Sequence, residues 1–260
     1  MIGTALLPER DAEAAMVPLL GAFTVASEAL LRERLLLHRV DRKYLVASSQ
    51  LATLLAPLTR SHHLLQAAGR GMATYRTEYF DTPDRQSYED HRRGRRPRTK
   101  VRIRHHVERA VSFLEVKRKQ ADGRTEKWRE PHAFGDDALD DAARRFVAAH
   151  GALSAPILMR AAGVDFLRIT LLSVTTAERI TIDHAIAVRC GPARQTLDNL
   201  AIVEVKQARR TAASEVIPAL RAVRARELAV SKYCIAVARL APVRSNTFKP
   251  GLRAIERIHS

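Results

Sequence analysis

Aromatic side chains are scarce in this chain, 5% of 260 residues with a single tryptophan. That scarcity excludes a stacking platform for single-stranded nucleic acid, which needs a series of exposed rings. Two cysteines, Cys190 and Cys234, are too few for a disulfide framework and fit a reducing compartment. Long apolar runs are missing too. The uncharged stretch from Ala14 to Ser27 contains Pro18 and Gly21 and is shorter than the ~20 residues a membrane span requires. The first apolar run follows Glu9, Arg10, Asp11 and Glu13, unlike the basic start of a signal peptide. The expectation is a cytoplasmic protein, with any membrane-protein partner invisible at this level. His62-His63 and His105-His106 lack the spacing of a zinc site.

Acidic residues are the next deficit. Against 44 Lys+Arg stand 28 Asp+Glu, a formal net charge of +16. So basic a chain implies phosphate-bearing partners or a membrane surface. Lysine is itself uncommon, only eight of the 44 basic residues. Lys43, Lys100, Lys117, Lys206 and Lys232 all fall in the patterned stretches described next, where a compact point charge differs from an arginine fork.

What the chain does have is alternation. In Arg98-Thr99-Lys100-Val101-Arg102-Ile103-Arg104, successive strand side chains point to opposite faces, so the four cations share one side and Val101 and Ile103 the other. Similar patterns run through 113–119, 178–183 and 202–206, each with a carboxylate near the basic residues. A sheet with one solvated face alternates in the same way. Four strands of one dominant sign read better as a polyanion site with a metal-capable carboxylate.

Strands are predicted at 40–46, 73–80, 98–107, 111–119, 124–129, 156–161, 165–173, 177–189 and 200–207, with a hairpin turn at Asp122-Gly123. Helices are predicted at 50–58, 136–149, 213–225 and 226–240. With 46% hydrophobic residues the chain supports one large core. Three segments follow: a helical extension over 1–38, a β-rich domain over 39–240 and a loosely held basic tail over 241–260. Mostly hairpin-linked strands favour an α+β protein whose antiparallel sheet closes into a barrel or faces a second sheet. The basic run at Arg92, Arg93, Arg95 and Arg96 reads as a solvated loop, and Asp81 as a turn cap.

The order of motifs resembles one family. Asp41-Arg42-Lys43-Tyr44, Tyr79-Phe80-Asp81-Thr82, Lys100 to Arg104, Leu114-Glu115-Val116-Lys117, Arg179 to Asp183, Val203-Glu204-Val205-Lys206 and Ser231-Lys232-Tyr233 appear in series. This is similar to the VTC domain, the polyphosphate-polymerase module of the triphosphate tunnel metalloenzyme (CYTH-like) superfamily. The resemblance implies an eight-stranded antiparallel β-barrel tunnel with helices outside and at the C-terminus. It also implies transfer of the terminal phosphate of ATP onto polyphosphate, with Mn²⁺ or Mg²⁺ as cofactor. Carried over by motif, Lys43, Arg102, Arg104, Lys117, Arg179 and Lys232 are the catalytic cations. Arg160 and Lys206 join them in binding substrate, Glu204 holds the metal, and Glu115 either ion-pairs or adds a second metal ligand. Tunnel triphosphatases begin Glu-x-Glu-x-Lys; here Arg39 replaces the first Glu, which leans toward the polymerase branch. The rivals are a triphosphatase of the same fold, a non-catalytic polyphosphate or inositol-phosphate module, and non-specific nucleic-acid binding, which would fall steeply with salt.

Overall fold

The structure is a computed structural model and describes residues 16–34, 40–151, 153, 157–208 and 214–259. Arg39 and half of the predicted N-terminal extension, 1–15 and 35–38, lie outside the described residues. Eleven strands form one sheet: β1 (Val40–Ala47), β2 (His62–Leu64), β3 (Ala73–Asp81), β4 (Arg98–His106), β5 (Val111–Lys119), β6 (Thr125–His132), β7 (Met159–Ser173), β8 (Glu178–Cys190), β9 (Ala193–Leu197), β10 (Leu200–Gln207) and β11 (Arg226–Glu227). Their order is β11-β1-β10-β8-β7-β3-β4-β5-β6, with β2 beside β7 and β9 beside β8, and every named pairing is antiparallel.

The alternation read from the sequence is what places the core. Along β4 the burial alternates residue by residue, and Val101 and Ile103 are fully buried with Leu114 and Val116 of β5. They pack against Ala143 and Val147 of α1 (Asp141–His150), whose N-cap Asp140 accepts from the Ala143 N–H at 2.7 Å. Removing each such aliphatic from water contributes roughly 1.5–3 kcal/mol. The charged face of the same strands is thereby turned away from the helices, toward the concave side of the sheet.

The expected eight-stranded closed barrel is corrected in two respects. The sheet has eleven strands, and it is not closed: β6 and β11 are its two ends. The reason is local. β11 is only two residues long and pairs with Tyr44 and Leu45 alone, so most of that edge of β1 has no strand through which to hand on to β6. The two strands expected at 156–161 and 165–173 are one 15-residue strand, β7. Gly163, which looks like a break, is instead a crossing point. A Cβ there would come within 2.4 Å of the Arg189 guanidinium carbon.

The segment from 213 to 240 is shorter in helix than expected, with α2 (Val216–Ala222) and α3 (Lys232–Leu240) separated by β11. The tail is not loosely held. It folds into α4 (Lys249–His259), which buries Ala254 and Ile255 in the same core cluster as Val237 and Ile202. Before the sheet, Met16, Leu20 and Phe23 are buried against Leu64 and Met72. Among the described residues no helix is long and apolar enough to cross a membrane.

Candidate phosphate chamber

The concave face encloses a cavity of about 900 Å³, lined mainly by side chains of β1, β4, β5, β6 and β10. Register explains the lining. Across β4, β5 and β6, Lys100, Lys117 and Lys127 are mutual partners in one row; Arg102 and Glu115 are partners in the next. On the opposite wall Lys43 of β1 faces Glu204 of β10, and Asp41 faces Lys206. Like charges set directly opposite each other destabilise a sheet, so the lysine row costs folding energy when no anion is present.

Three carboxylates hold this cationic shell in shape, and each sits between two cations. Glu204 takes Lys43 Nζ at 2.8 Å on one oxygen and Lys206 Nζ at 3.0 Å on the other. Glu115 accepts from Arg102 Nε at 2.6 Å and has Arg104 Nη1 at 3.9 Å. Asp183 accepts from Arg168 Nε and Nη2 at 2.5 and 2.7 Å, and from Lys232 Nζ. Burial opposes ionisation of all three, but the paired cations outweigh it and hold each pKa well below the usual carboxylate range.

For two of the lysines burial prevails and the shift runs the other way. Burial, then Lys43, Lys127 and Lys100, push Lys117 down to about 7. Lys206 is pushed down to about 8 by burial, with Glu204 offsetting part of the effect. Lys100 Nζ donates to His91 Nδ1 and to Ser231 Oγ, both at 2.9 Å. Burial and the neighbouring Lys100 hold His91 down at about 3, so its ring is neutral and serves as an acceptor.

The structure therefore brings Lys43, Arg102, Arg104, Lys117, Lys206, Lys232, Glu115 and Glu204 to one chamber. Two expected residues fall elsewhere. Arg160 is largely exposed and bonds through Nε to the Asp137 carbonyl at 3.1 Å, outside the chamber. Arg179 sits at the end of β8 across from Lys206 and does not border the chamber. The β7–β8 arginine in the lining is Arg168, which sequence reasoning missed. The tripeptide Arg-Ile-Thr occurs twice, at 168–170 and 179–181, and that repeat was the available signal. Lys127 and Lys119 were also missed as lining groups. The resemblance also implies a basic residue soon after Tyr88, for which His91, Arg92 and Arg93 compete; His91 borders the chamber, while Arg92 and Arg93 pair with Glu89.

Supporting residues have structural parts. Asp81, fully buried, accepts from the backbone N–H groups of Thr82, Ser87 and Tyr88 and from the Tyr233 hydroxyl, which fixes the turn after β3. Ser231 caps α3. Trp128 stacks on His150, ring centroids 5.0 Å apart.

Among the described residues no three His, Cys, Asp or Glu side chains gather as a metal site. A hard divalent cation held by one carboxylate together with substrate phosphates needs no such cluster. Glu204 fits that mode, being the chamber carboxylate whose partners are lysines that phosphate oxygens could take over.

No curated protein sequence is similar enough to this chain to count as a relative. A candidate adenylate cyclase from Bacillus halodurans shares the fold at 14% identity, with a TM-score of 0.52 over 78% of this chain and 96% of its own. A candidate adenylyl cyclase from Hippeastrum, with a dominant triphosphatase activity, aligns at 16% identity and a TM-score of 0.49, over 78% and 98% of the two chains. The VTC domain model matches residues 38–140, the segment that carries β1 and the β3–β6 wall of the chamber. That segment, from the Lys43 strand through the Arg102 and Lys117 strands, is similar to the VTC domain.

Proposed function

We propose that this chain is a polyphosphate polymerase that moves the terminal phosphoryl group of ATP onto a polyphosphate chain lying in the chamber. The observation that carries this reading is the convergence of Lys43, Lys100, Arg102, Arg104, Lys117, Lys127, Arg168 and Lys206 on one cavity. Phosphoryl transfer needs positioning and charge stabilisation more than covalent help from the protein. Arg102 and Arg104 would grip pairs of phosphate oxygens, while Lys43, Lys100, Lys117 and Lys127 neutralise the remaining charge. The bond from the terminal phosphorus to the nucleoside diphosphate breaks, and a bond to the terminal oxygen of the chain forms. Mn²⁺ or Mg²⁺, held by Glu204 with substrate phosphates, would supply charge neutralisation between neighbouring phosphates. Glu115, already engaged by Arg102, sets the angle of that guanidinium.

A triphosphatase is the second reading, since the same grip on three phosphates would serve attack by water. Arg39, in place of the first Glu of the triphosphatase motif, favours the polymerase. Incubation with ATP and Mn²⁺, resolved on a gel, separates them. Long polyphosphate that disappears in Glu204→Ala and Lys117→Ala supports the polymerase. Orthophosphate without a long product supports hydrolysis, and unchanged turnover in both variants removes the site assignment.

A further inference from the structure

Outside the chamber, a second basic cleft of about 530 Å³ opens between β11 and α4. Three arginines reach it from rigid supports. Arg226 is fixed by the pairing of β11 with β1, where it opposes Leu45. Arg253 and Arg257 stand one helical turn apart on the same face of α4. Ile255, fully buried in the core, anchors the opposite side of the helix. Among the described residues one carboxylate borders the cleft, Glu227, and it is already engaged: its Oε2 accepts from Arg42 Nη2 at 2.7 Å and Nε at 3.2 Å, and from the Tyr44 hydroxyl at 3.4 Å. The cleft thus gathers three arginines in one place, and arginine forks match phosphate geometry.

Its position is as informative as its charge. Glu227 and Leu228 border both this cleft and the chamber. The Leu228 N–H donates to the Lys43 carbonyl at 2.9 Å, so the wall between the cavities is tied to the strand that carries a chamber lysine. We infer that Arg226, Arg253 and Arg257 form an outer subsite that holds the part of a linear phosphate chain extending beyond the chamber. This rests on the chamber being the phosphate site. It adds a dependence on chain length, because a triphosphate would fill the chamber alone while a long chain would reach both sites.

Binding by full-length protein would be compared for tripolyphosphate and for long-chain polyphosphate at one fixed ionic strength. The proteins are the wild type, the double variant Arg253→Ala/Arg257→Ala, and Arg253→Lys/Arg257→Lys as a charge-retaining control. The expected result is long-chain affinity weakened roughly tenfold in the alanine variant, as for two partly exposed charge contacts. Tripolyphosphate affinity should be unchanged, and the lysine variant should recover much of the long-chain binding. Equal long-chain affinity in the wild type and the alanine variant overturns the outer subsite. So does a matching loss for tripolyphosphate, which would signal a damaged fold or a single undivided site. If wild-type protein fails to bind tripolyphosphate yet holds long chains through these arginines, the chamber reading falls and the outer site stands. If it binds neither, both fall.

Discussion

Lys117 of β5 stands directly opposite Lys127 of β6, at the centre of a cross-strand row that Lys100 of β4 extends. Burial and this neighbourhood depress Lys117 to about 7, so near neutrality a fraction of the molecules carry it uncharged. A bound phosphate favours the ammonium and raises that pKa. Anion binding is therefore coupled to proton uptake above the depressed pKa, and affinity falls as pH rises through it toward the value in the complex. Calorimetric titration with tripolyphosphate at about pH 8, in buffers of different ionisation enthalpy, should show net proton uptake, the larger part from Lys117 and the rest from Lys206. Lys117→Met should lose most of that uptake. An unchanged proton count in the variant would assign the titration elsewhere.

The same row makes a prediction about stability. Lys117 has a lower pKa in the folded chain than the ordinary lysine value it has when unfolded. Between those two values the unfolded chain binds more protons, so folding stability rises with pH across that window and the penalty is complete below it. Urea unfolding of ligand-free protein should show Lys117→Met gaining on the wild type as pH falls toward 7. Saturating tripolyphosphate should abolish the advantage.

Asp183 is buried at 2% exposure and carries both Arg168 and Lys232. Removing its charge leaves two buried cations uncompensated. Asp183→Asn should cost about 3–5 kcal/mol in equilibrium unfolding, the range for breaking a buried ion pair. A loss below ~1 kcal/mol, the range for surface pairs, would mean that solvent compensates the pair.

Glu204→Gln separates binding from turnover. Both its partners are lysines, Lys43 and Lys206, so losing the carboxylate frees two cations for phosphate. Metal-free affinity for tripolyphosphate should hold or tighten, while turnover of ATP with Mn²⁺ should fall by at least roughly a hundredfold, as when a preorganised electrostatic group is lost. Weakened metal-free binding would instead make Glu204 a structural strut.

Arginine position is a further check. Arg168→Lys removes the two-pronged bond to Asp183 inside the lining and should reduce turnover. Arg160→Ala acts on a residue outside the chamber and should leave turnover within about twofold, as most surface changes do to stability. Sensitivity to Arg160 and indifference to Arg168 would restore the motif-based assignment.

Most of the chamber was legible because period-two alternation is a purely local signal. Lys100, Arg102 and Arg104 could be put on one face of β4, and Glu115 and Lys117 on one face of β5, from their spacing alone. Arg168 was not legible in this way. Both β7 and β8 are buried along much of their length, so charge alternation is weak there, and only register distinguishes Arg168 from Arg179. Lys127 was hidden for a different reason: β6 is mostly exposed, and its charges look like those of any solvated edge until β5 is placed beside it. Sheet closure was beyond the sequence as well. Whether the last strand meets the first depends on two residues of β11, too few to leave a pattern. The α4 arginines read as a basic tail because Pro242 and Pro250 punctuate the segment, although Leu252, Ile255 and Ile258 fall at helical spacing.

An experimental structure of the protein with tripolyphosphate tests the central claim most directly. The account predicts phosphorus density inside the cavity, within hydrogen-bonding reach of Lys43, Arg102 and Lys117. Density confined to the outer arginines, with the chamber side chains still paired to Glu115 and Glu204, would contradict it.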